Sequence, residues 1–299
     1  MRILVPLILA WVLGHTVAAA QAPPSAELWR LSAATLASPP GLETGATSAF
    51  WNPAGPELTP RLAAGLEITQ TPDVVGVAGV VAAVQYRLHP ALGVTLQLAR
   101  TDIDDIVRTT TSATSDLGTV PIYEQMAGLG MVWRVGPART GLLVRAHDAR
   151  FDALRESGVT IDAGVRLAAR DRLTVAAATH FFPADAVTRD LTDYFVGADW
   201  RLFTRRLLGQ DGRVFVRYGA THRERTGTEH GIGAGLRFDE RLSADAVMVR
   251  ERGEVDAAWR PVVGLGLRVG RYLIRAGRGS GINGIGAAYR IGLQSDVLP

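Results

Sequence analysis

The sequence predicts an all-β protein: a transmembrane antiparallel β-barrel of about fourteen strands, within bounds of about twelve to sixteen, with an N-terminal plug-like segment. Three observations predict it. The chain opens with an export signal. From Leu62 to Leu293 apolar residues alternate with small or charged ones. The connections between the alternating segments are by turns short and long, as in barrels with short turns on one side of a membrane and longer loops on the other.

The export signal is Met1 to Ala20. Arg2 supplies the positive start, Ile3 to Leu13 the apolar core, and Ala18-Ala19-Ala20 the small residues before a cleavage point after Ala20. Gly14, His15 and Thr16 interrupt the apolar core, which argues against an uncleaved anchor. Residues 21–60 form the lead and plug-like segment, 61–294 the barrel and 295–299 a C-terminal tail. The stretch from Gln21 to Pro40 is rich in Ala, Pro and Ser and is expected to hold at most one turn of helix around Leu28 to Leu36.

Gly41 to Gly55 joins the two parts. Asn52-Pro53, with Gly55 and Pro56, demands a fixed bend, because proline locks its own φ and pushes the preceding residue out of the helical region. One reading is a turn that leads into the first strand. The other is that Phe50 and Trp51 form an apolar wedge inside whatever the strands enclose. Local chemistry leaves both open.

Composition narrows the classes. With 47% hydrophobic residues and no internal apolar run of about twenty, the chain crosses no membrane by an internal helix. With no cysteine there is no disulfide framework, thiolate zinc site or lipoprotein anchor. All 32 Lys+Arg residues are arginine, and they are dispersed, which with a net charge of +3 gives no reason to expect nucleic acid.

Parity within segments carries the barrel assignment. In Asp256 to Val269 one face holds Trp259, Pro261, Val263, Leu265, Leu267 and Val269, the other Asp256, Arg260, Gly264, Gly266 and Arg268. Ile161 to Ala169 repeats the pattern with Asp162, Gly164 and Arg166 on the second face, and Tyr194 to Leu202 with Asp199 and Arg201. An arginine at the mid-plane of a lipid face costs about 2 to 4 kcal/mol, so a barrel must keep one parity apolar. Small residues mixed with arginine suit a tight, wet lumen better than the solvated face of a sandwich.

Segments are expected to begin near Leu62, Val75, Ala91, Ile122, Ala138, Val159, Arg172, Tyr194, Arg213, Glu229, Leu242, Val255, Arg271 and Asn283. Longer connections are expected at Asp102 to Pro121, Phe151 to Gly158, Pro183 to Asp193 and Gly277 to Ile282. Tyr86, Trp133, Trp200, Phe238, Tyr272 and Tyr289 near one set of strand ends, and Phe181, Tyr194, Tyr218 and Trp259 near the other, read as two interfacial bands. The last strand, Gly284 to Ile291, resembles the C-terminal recognition signal of bacterial outer-membrane barrels, which implies the barrel-assembly machinery as a partner.

Ala49-Phe50-Trp51-Asn52-Pro53-Ala54-Gly55, placed just before such a barrel, resembles the long-chain fatty-acid transporter (FadL/TodX-like) family of outer-membrane proteins and its PorV/PorQ relatives. The resemblance implies an N-terminal segment folded into the barrel as a plug, with hydrophobic ligands passing through the lumen and sideways into the membrane. It touches Phe50, Trp51, Asn52, Pro53 and Ala54.

On lumen parity stand Arg87, Arg134, Arg145, Arg166, Arg201, Arg217, Arg237, Arg268, Arg275 and Arg290, with Glu67, Asp162, Asp199 and Asp245 as partners. They read either as ion pairs that fill a narrow barrel or as an anion-steering wall. Gly279-Ser280-Gly281-Ile282-Asn283-Gly284 fits a dinucleotide fingerprint, but a strand follows it and not a helix. His222, Glu224, Glu229 and His230 flank one outer loop and could hold a metal, although mixed polar residues on a solvated loop are more often only that. His147 and His180 fall on lumen parity with no serine spaced for a triad. The expectation is therefore a non-enzymatic bacterial outer-membrane channel or transporter for small hydrophobic or amphipathic molecules, in contact with outer-membrane lipid and using no cofactor or metal. The alternative is a PorV-like anchor for secreted proteins.

Overall fold

The computed structural model describes residues 26–72, 76–103, 106–107, 118–169, 172–183, 192–207, 210–223, 227–239, 241–252, 257–281 and 286–298. The export signal lies outside these residues, as do the expected strand starts Val75, Val255 and Asn283, and Ile282 to Gly284 of the glycine motif.

The strands are β1 (Leu62–Gln70), β2 (Val77–His89), β3 (Leu92–Ile103), β4 (Ile122–Val135), β5 (Ala138–Phe151), β6 (Leu154–Ala169), β7 (Leu173–Pro183), β8 (Asp193–Leu207), β9 (Gln210–Arg223), β10 (Gly227–Phe238), β11 (Leu242–Arg252), β12 (Ala257–Val269), β13 (Tyr272–Ser280) and β14 (Ala287–Leu298). Each pairs antiparallel with the next, and β14 returns to β1 with Leu66 opposite Leu293, so the barrel closes and leaves no unpaired edge. The connections after β2, β4, β6, β8, β10 and β12 gather at one end, here the short-turn end; the opposite end is the loop end.

Alternation decides which way each side chain points. Leu129, Leu265 and Ile291 face outward at 63%, 62% and 62% exposure, whereas Arg145 and Arg217 face inward at 0% and 2%. The outward parity is apolar over the middle of the strands, and toward the loop end it turns polar on several of them, with Arg100, Gln125 and Arg155 on β3 to β6, His222 and His230 on β9 and β10, Arg250 on β11 and Arg278 on β13. There Arg100 Nε donates to Asp102 (3.1 Å), Gln125 Nε2 to Asp148 (2.9 Å) and Arg155 Nε to Asp148 (2.9 Å).

Residues 26–60 contact the inward wall on every side. Helix α1 (Ala26–Ala33) meets β2, β3 and β14; a 3-10 turn at Pro40–Leu42 meets β6 to β8; another at Ala46–Phe50 meets β1 to β3. Close approach of backbone to wall requires glycine: a Cβ on Gly141 or Gly164 would collide with Pro53 or with the Asn52 side chain.

Four expectations are corrected. The lead carries an eight-residue helix, because Trp29 finds a buried site against Phe50 at 4.6 Å between ring centroids. The loop expected at Phe151 to Gly158 is a tight turn, with Asp152 at φ 56° and β6 beginning at Leu154. The tail expected at 295–299 is strand through Leu298, which pairs with Leu62. Phe181 leaves the aromatic band for the interior: the register shifts between Ile161 and Ala163, Phe181 takes φ 58°, and the Asp162 carboxylate accepts its amide at 2.8 Å. A bulge of this kind re-aims one side chain across the sheet.

Candidate functional site

The interior falls into two unlike halves. On the β1 to β7 side the segment from Ala46 to Leu58 is packed against the wall. Phe50, fully buried, touches Trp29, Trp51 at 4.8 Å, His180 at 5.2 Å and Phe181 at 6.1 Å. Trp51 stacks on His180 at 5.6 Å. Asn52 donates through Nδ2 to the Gly41 carbonyl (2.6 Å) and accepts through Oδ1 from the Ala54 amide (2.9 Å), while the Gly55 amide donates to its backbone carbonyl (2.8 Å). An amide that gives and receives at once closes the loop from Gly41 to Gly55 around Pro53.

The wall answers with its arginines. Arg145 pairs with Asp162, donates to the Phe50 carbonyl at 2.6 Å and lies 4.8 Å from the Phe50 ring centroid. Arg87 donates to the carbonyls of Leu58 (3.0 Å) and Thr59 (2.9 Å), and Arg166 to that of Leu42 (2.7 Å). Arg134, at the short-turn mouth, is exposed and stands opposite Arg139. Further charges join carboxylates: Arg217 meets Asp199 at 3.3 Å and Asp245 at 2.5 Å, Arg268 meets Asp296 at 2.7 Å, Arg275 meets Glu43 at 3.4 Å, and Arg290 meets Glu67. Arg201 stands opposite Phe215, and Arg237 lies 5.0 Å from the same ring. Arg145, Arg217, Arg268, Arg275 and Arg290 are thus ion-paired, whereas Arg87 and Arg166 meet backbone carbonyls of the interior segment.

Residues not singled out by the sequence also hold the segment: Gln85 donates to the Glu57 carbonyl (2.5 Å), Arg139 to that of Pro56 (2.8 Å) and Arg260 to that of Ala34 (2.8 Å). All three share the lumen parity of their strands, the one signal that could have found them.

On the β8 to β14 side two cavities stand in tandem. One of about 300 Å³, toward the loop end, is lined by Arg30, Leu36, Pro39, Arg223, Val247 and Arg260. The other, about 340 Å³ toward the short-turn end, is lined by Arg213, Arg217, Arg237, Arg268 and Arg275 together with Leu265. Ser38 borders both. The chain around Thr35 to Pro39 therefore stands between an amphipathic chamber and an arginine-rich one.

Of the histidines on lumen parity, His180 is buried among Phe50, Trp51 and Phe181, and His147 is engaged at both ring nitrogens. His147 Nε2 lies 2.6 Å from Thr160 Oγ1 and Nδ1 lies 2.8 Å from Glu124 Oε1, a hydroxyl–imidazole–carboxylate order. All three residues are buried and both ring nitrogens are engaged, which is the state of a satisfied core histidine. Glu229 turns inward to Arg223 at 2.8 Å, while His230 faces outward with Nδ1 2.8 Å from the Tyr218 hydroxyl. The wall keeps those two apart.

No protein-family model and no curated protein matches the chain. Among solved structures, a mutant of Rh. blastica porin aligns with a TM-score of 0.44 and 9% identity, covering 78% of this chain and 98% of that one. The Acinetobacter baumannii outer membrane protein Omp33 aligns with a TM-score of 0.45 and 7% identity, covering 79% and 97%.

Proposed function

We propose that the chain is a plugged bacterial outer-membrane barrel that passes small amphipathic molecules along the β8 to β14 side of its lumen, with the short-turn end toward the periplasm. The observation that carries this is the pair of chambers in tandem, separated by the chain around Thr35 to Pro39 and set beside a half-lumen that the Ala46 to Leu58 segment fills. The apolar outward belt supports lipid as the surrounding medium, since every backbone group of a closed barrel is paired within the wall. The resemblance of the Phe50 to Gly55 stretch to the fatty-acid transporter family adds hydrophobic cargo to the same reading, and the β14 resemblance adds the assembly machinery. In this reading residues 41–58 are the fixed part of the plug and 34–39 its gate.

A disulfide lock tests it. A Cβ on Gly264 would stand 2.6 Å from the Ala37 Cβ, so a cysteine pair at these positions can bridge after a shift of about an ångström. The chain has no other cysteine. In planar bilayers the Ala37→Cys/Gly264→Cys protein should conduct when reduced and fall silent when oxidised. Equal conductance in both states would remove the gate, and silence of wild type, reduced pair and a 26–39 deletion alike would remove the conduit.

A further inference from the structure

The outward edge of the short-turn end carries arginines for which the wall supplies no counter-ion. Arg61, just before β1, has its guanidinium carbon 5.8 Å from the Tyr86 ring centroid and donates through Nη2 to the Tyr86 hydroxyl at 3.1 Å. Arg271, just before β13, repeats the arrangement on Tyr272, at 5.1 Å from the ring centroid and 2.9 Å from the hydroxyl. Both tyrosines stand on the outward parity of their strands, with Val84 and Ile274, so each guanidinium is drawn over the lipid-facing edge of the wall. Arg205 reaches the same level through parity: it lies two residues beyond Phe203 on the outward face of β8 and is exposed. Among the described residues no carboxylate lies within ion-pair distance of any of the three.

The loop end holds a counterpart that is complete in itself. Arg100 lies 4.8 Å from the Tyr123 ring centroid on the outward face, but its Nε is tied to Asp102 at 3.1 Å. At the short-turn end the charge is left over. Arg134, Arg172 and Arg241 are exposed there as well, and the exposed carboxylates among the described residues of that end are Asp211 and Asp239. The unpaired arginines also surround the barrel. β8 is seven strands from β1 whichever way the fourteen-membered ring is followed, so Arg205 and Arg61 stand on opposite sides. A protein partner meets one side of a barrel, whereas the headgroup layer of a membrane meets every side.

We propose that the short-turn rim binds anionic phospholipid, with headgroup phosphates of that leaflet as the counter-ions of Arg61, Arg205 and Arg271. An arginine on a lipid face is costly at mid-depth and close to neutral at the interface, where its long stem lies along apolar surface and its head reaches the phosphates. A guanidinium holds a phosphate through two parallel N–H···O bonds. On Arg61 and Arg271 one nitrogen rests on a tyrosine hydroxyl, which fixes the plane and leaves other donors of the fork for the lipid. The site rests on the outward belt facing lipid and not on the conduit: a sealed barrel would bind the same headgroups.

The test uses the full chain in detergent carrying equal amounts of phosphatidylglycerol and phosphatidylcholine, with bound lipid read by native mass spectrometry. Phosphatidylglycerol should be retained over phosphatidylcholine by about fivefold per position. Arg61→Gln/Arg205→Gln/Arg271→Gln should lose most of that preference, and Arg205→Gln alone, which touches no tyrosine, should lose part of it. Equal retention of the two lipids by wild type, or an undiminished preference in the triple variant, would overturn the site. Should the triple variant fail to fold, an undiminished preference in Arg205→Gln does the same. Glycerol phosphate at matched ionic strength, a head without acyl chains, should not displace the lipid; displacement would make the rim a site for soluble phosphate and overturn the lipid reading. Folding into phosphatidylcholine vesicles separates the premise from the proposal. A barrel that enters them without preferring phosphatidylglycerol removes the rim site alone, and one that enters neither lipid removes the membrane reading with it.

Discussion

Arg145 holds Phe50 twice: its guanidinium lies 4.8 Å from the phenyl ring centroid, and its Nη2 donates to the Phe50 carbonyl at 2.6 Å. The same arginine pairs with Asp162, whose other oxygen accepts the Phe181 amide at the β7 bulge. One buried charge thus ties the interior segment, the wall of β5 and β6, and the bulge that turns Phe181 inward.

Removing that charge leaves Asp162 buried without its counter-ion. Arg145→Met should destabilise the barrel by about 3 to 5 kcal/mol, read from urea unfolding in vesicles. Arg145→Met/Asp162→Leu should recover most of the loss, because a pair replaced by apolar groups of similar volume costs far less than a pair broken. If the double variant were as unstable as the single one, the pair would not be the source.

Asn52 is the residue of the Asn-Pro stretch whose side chain cannot be replaced by shape alone. Asn52→Ala strands the Gly41 carbonyl and the Ala54 amide in a buried site, about 1 to 3 kcal/mol for each unsatisfied group. Limited proteolysis of folded protein should then cut within residues 41–55 while the barrel stays heat-resistant. Wild-type resistance in the variant would show that the loop does not depend on this amide.

Gly141→Val should separate wall from filling. A side chain there collides with the Pro53 carbonyl, yet the β5 ladder itself has no need of glycine at that position. Folding yield into vesicles should remain near wild type, and bilayer conductance should rise as the segment is displaced from β5 and β6. Loss of the folded barrel would mean that the segment is required to assemble the wall.

Sidedness is tested at Leu129, an outward residue midway along β4. Leu129→Arg should cost about 2 to 4 kcal/mol of stability in a bilayer. The same substitution should cost markedly less in short-chain detergent, where water reaches the wall. A neutral effect in bilayers would place this face away from hydrocarbon.

Much of the wall is legible from residues alone. Period-two alternation fixed the inward parity of Asp162, Arg166, Asp199, Arg217 and Arg268, because a one-residue slip would turn every charge of a strand toward lipid. Four strand starts, at Leu62, Ile122, Ala138 and Leu242, fall where turn chemistry places them, and most others within a few residues. Three things were decided by the tertiary structure. Phe181 points inward because a bulge adds one residue to the count, and the acceptor that holds its amide, Asp162, lies on another strand. Asn52 bonds Gly41 because the chain folds back inside the wall, which no local preference encodes. Arg213 and Arg237 become direct cross-strand neighbours, whereas Arg217 meets the carboxylates of Asp199 and Asp245, through the registers of β8 to β11. Alternation is a property of each strand by itself, so the sequence carries it; which charges meet is a property of pairs of strands, and only the closed barrel brings them together.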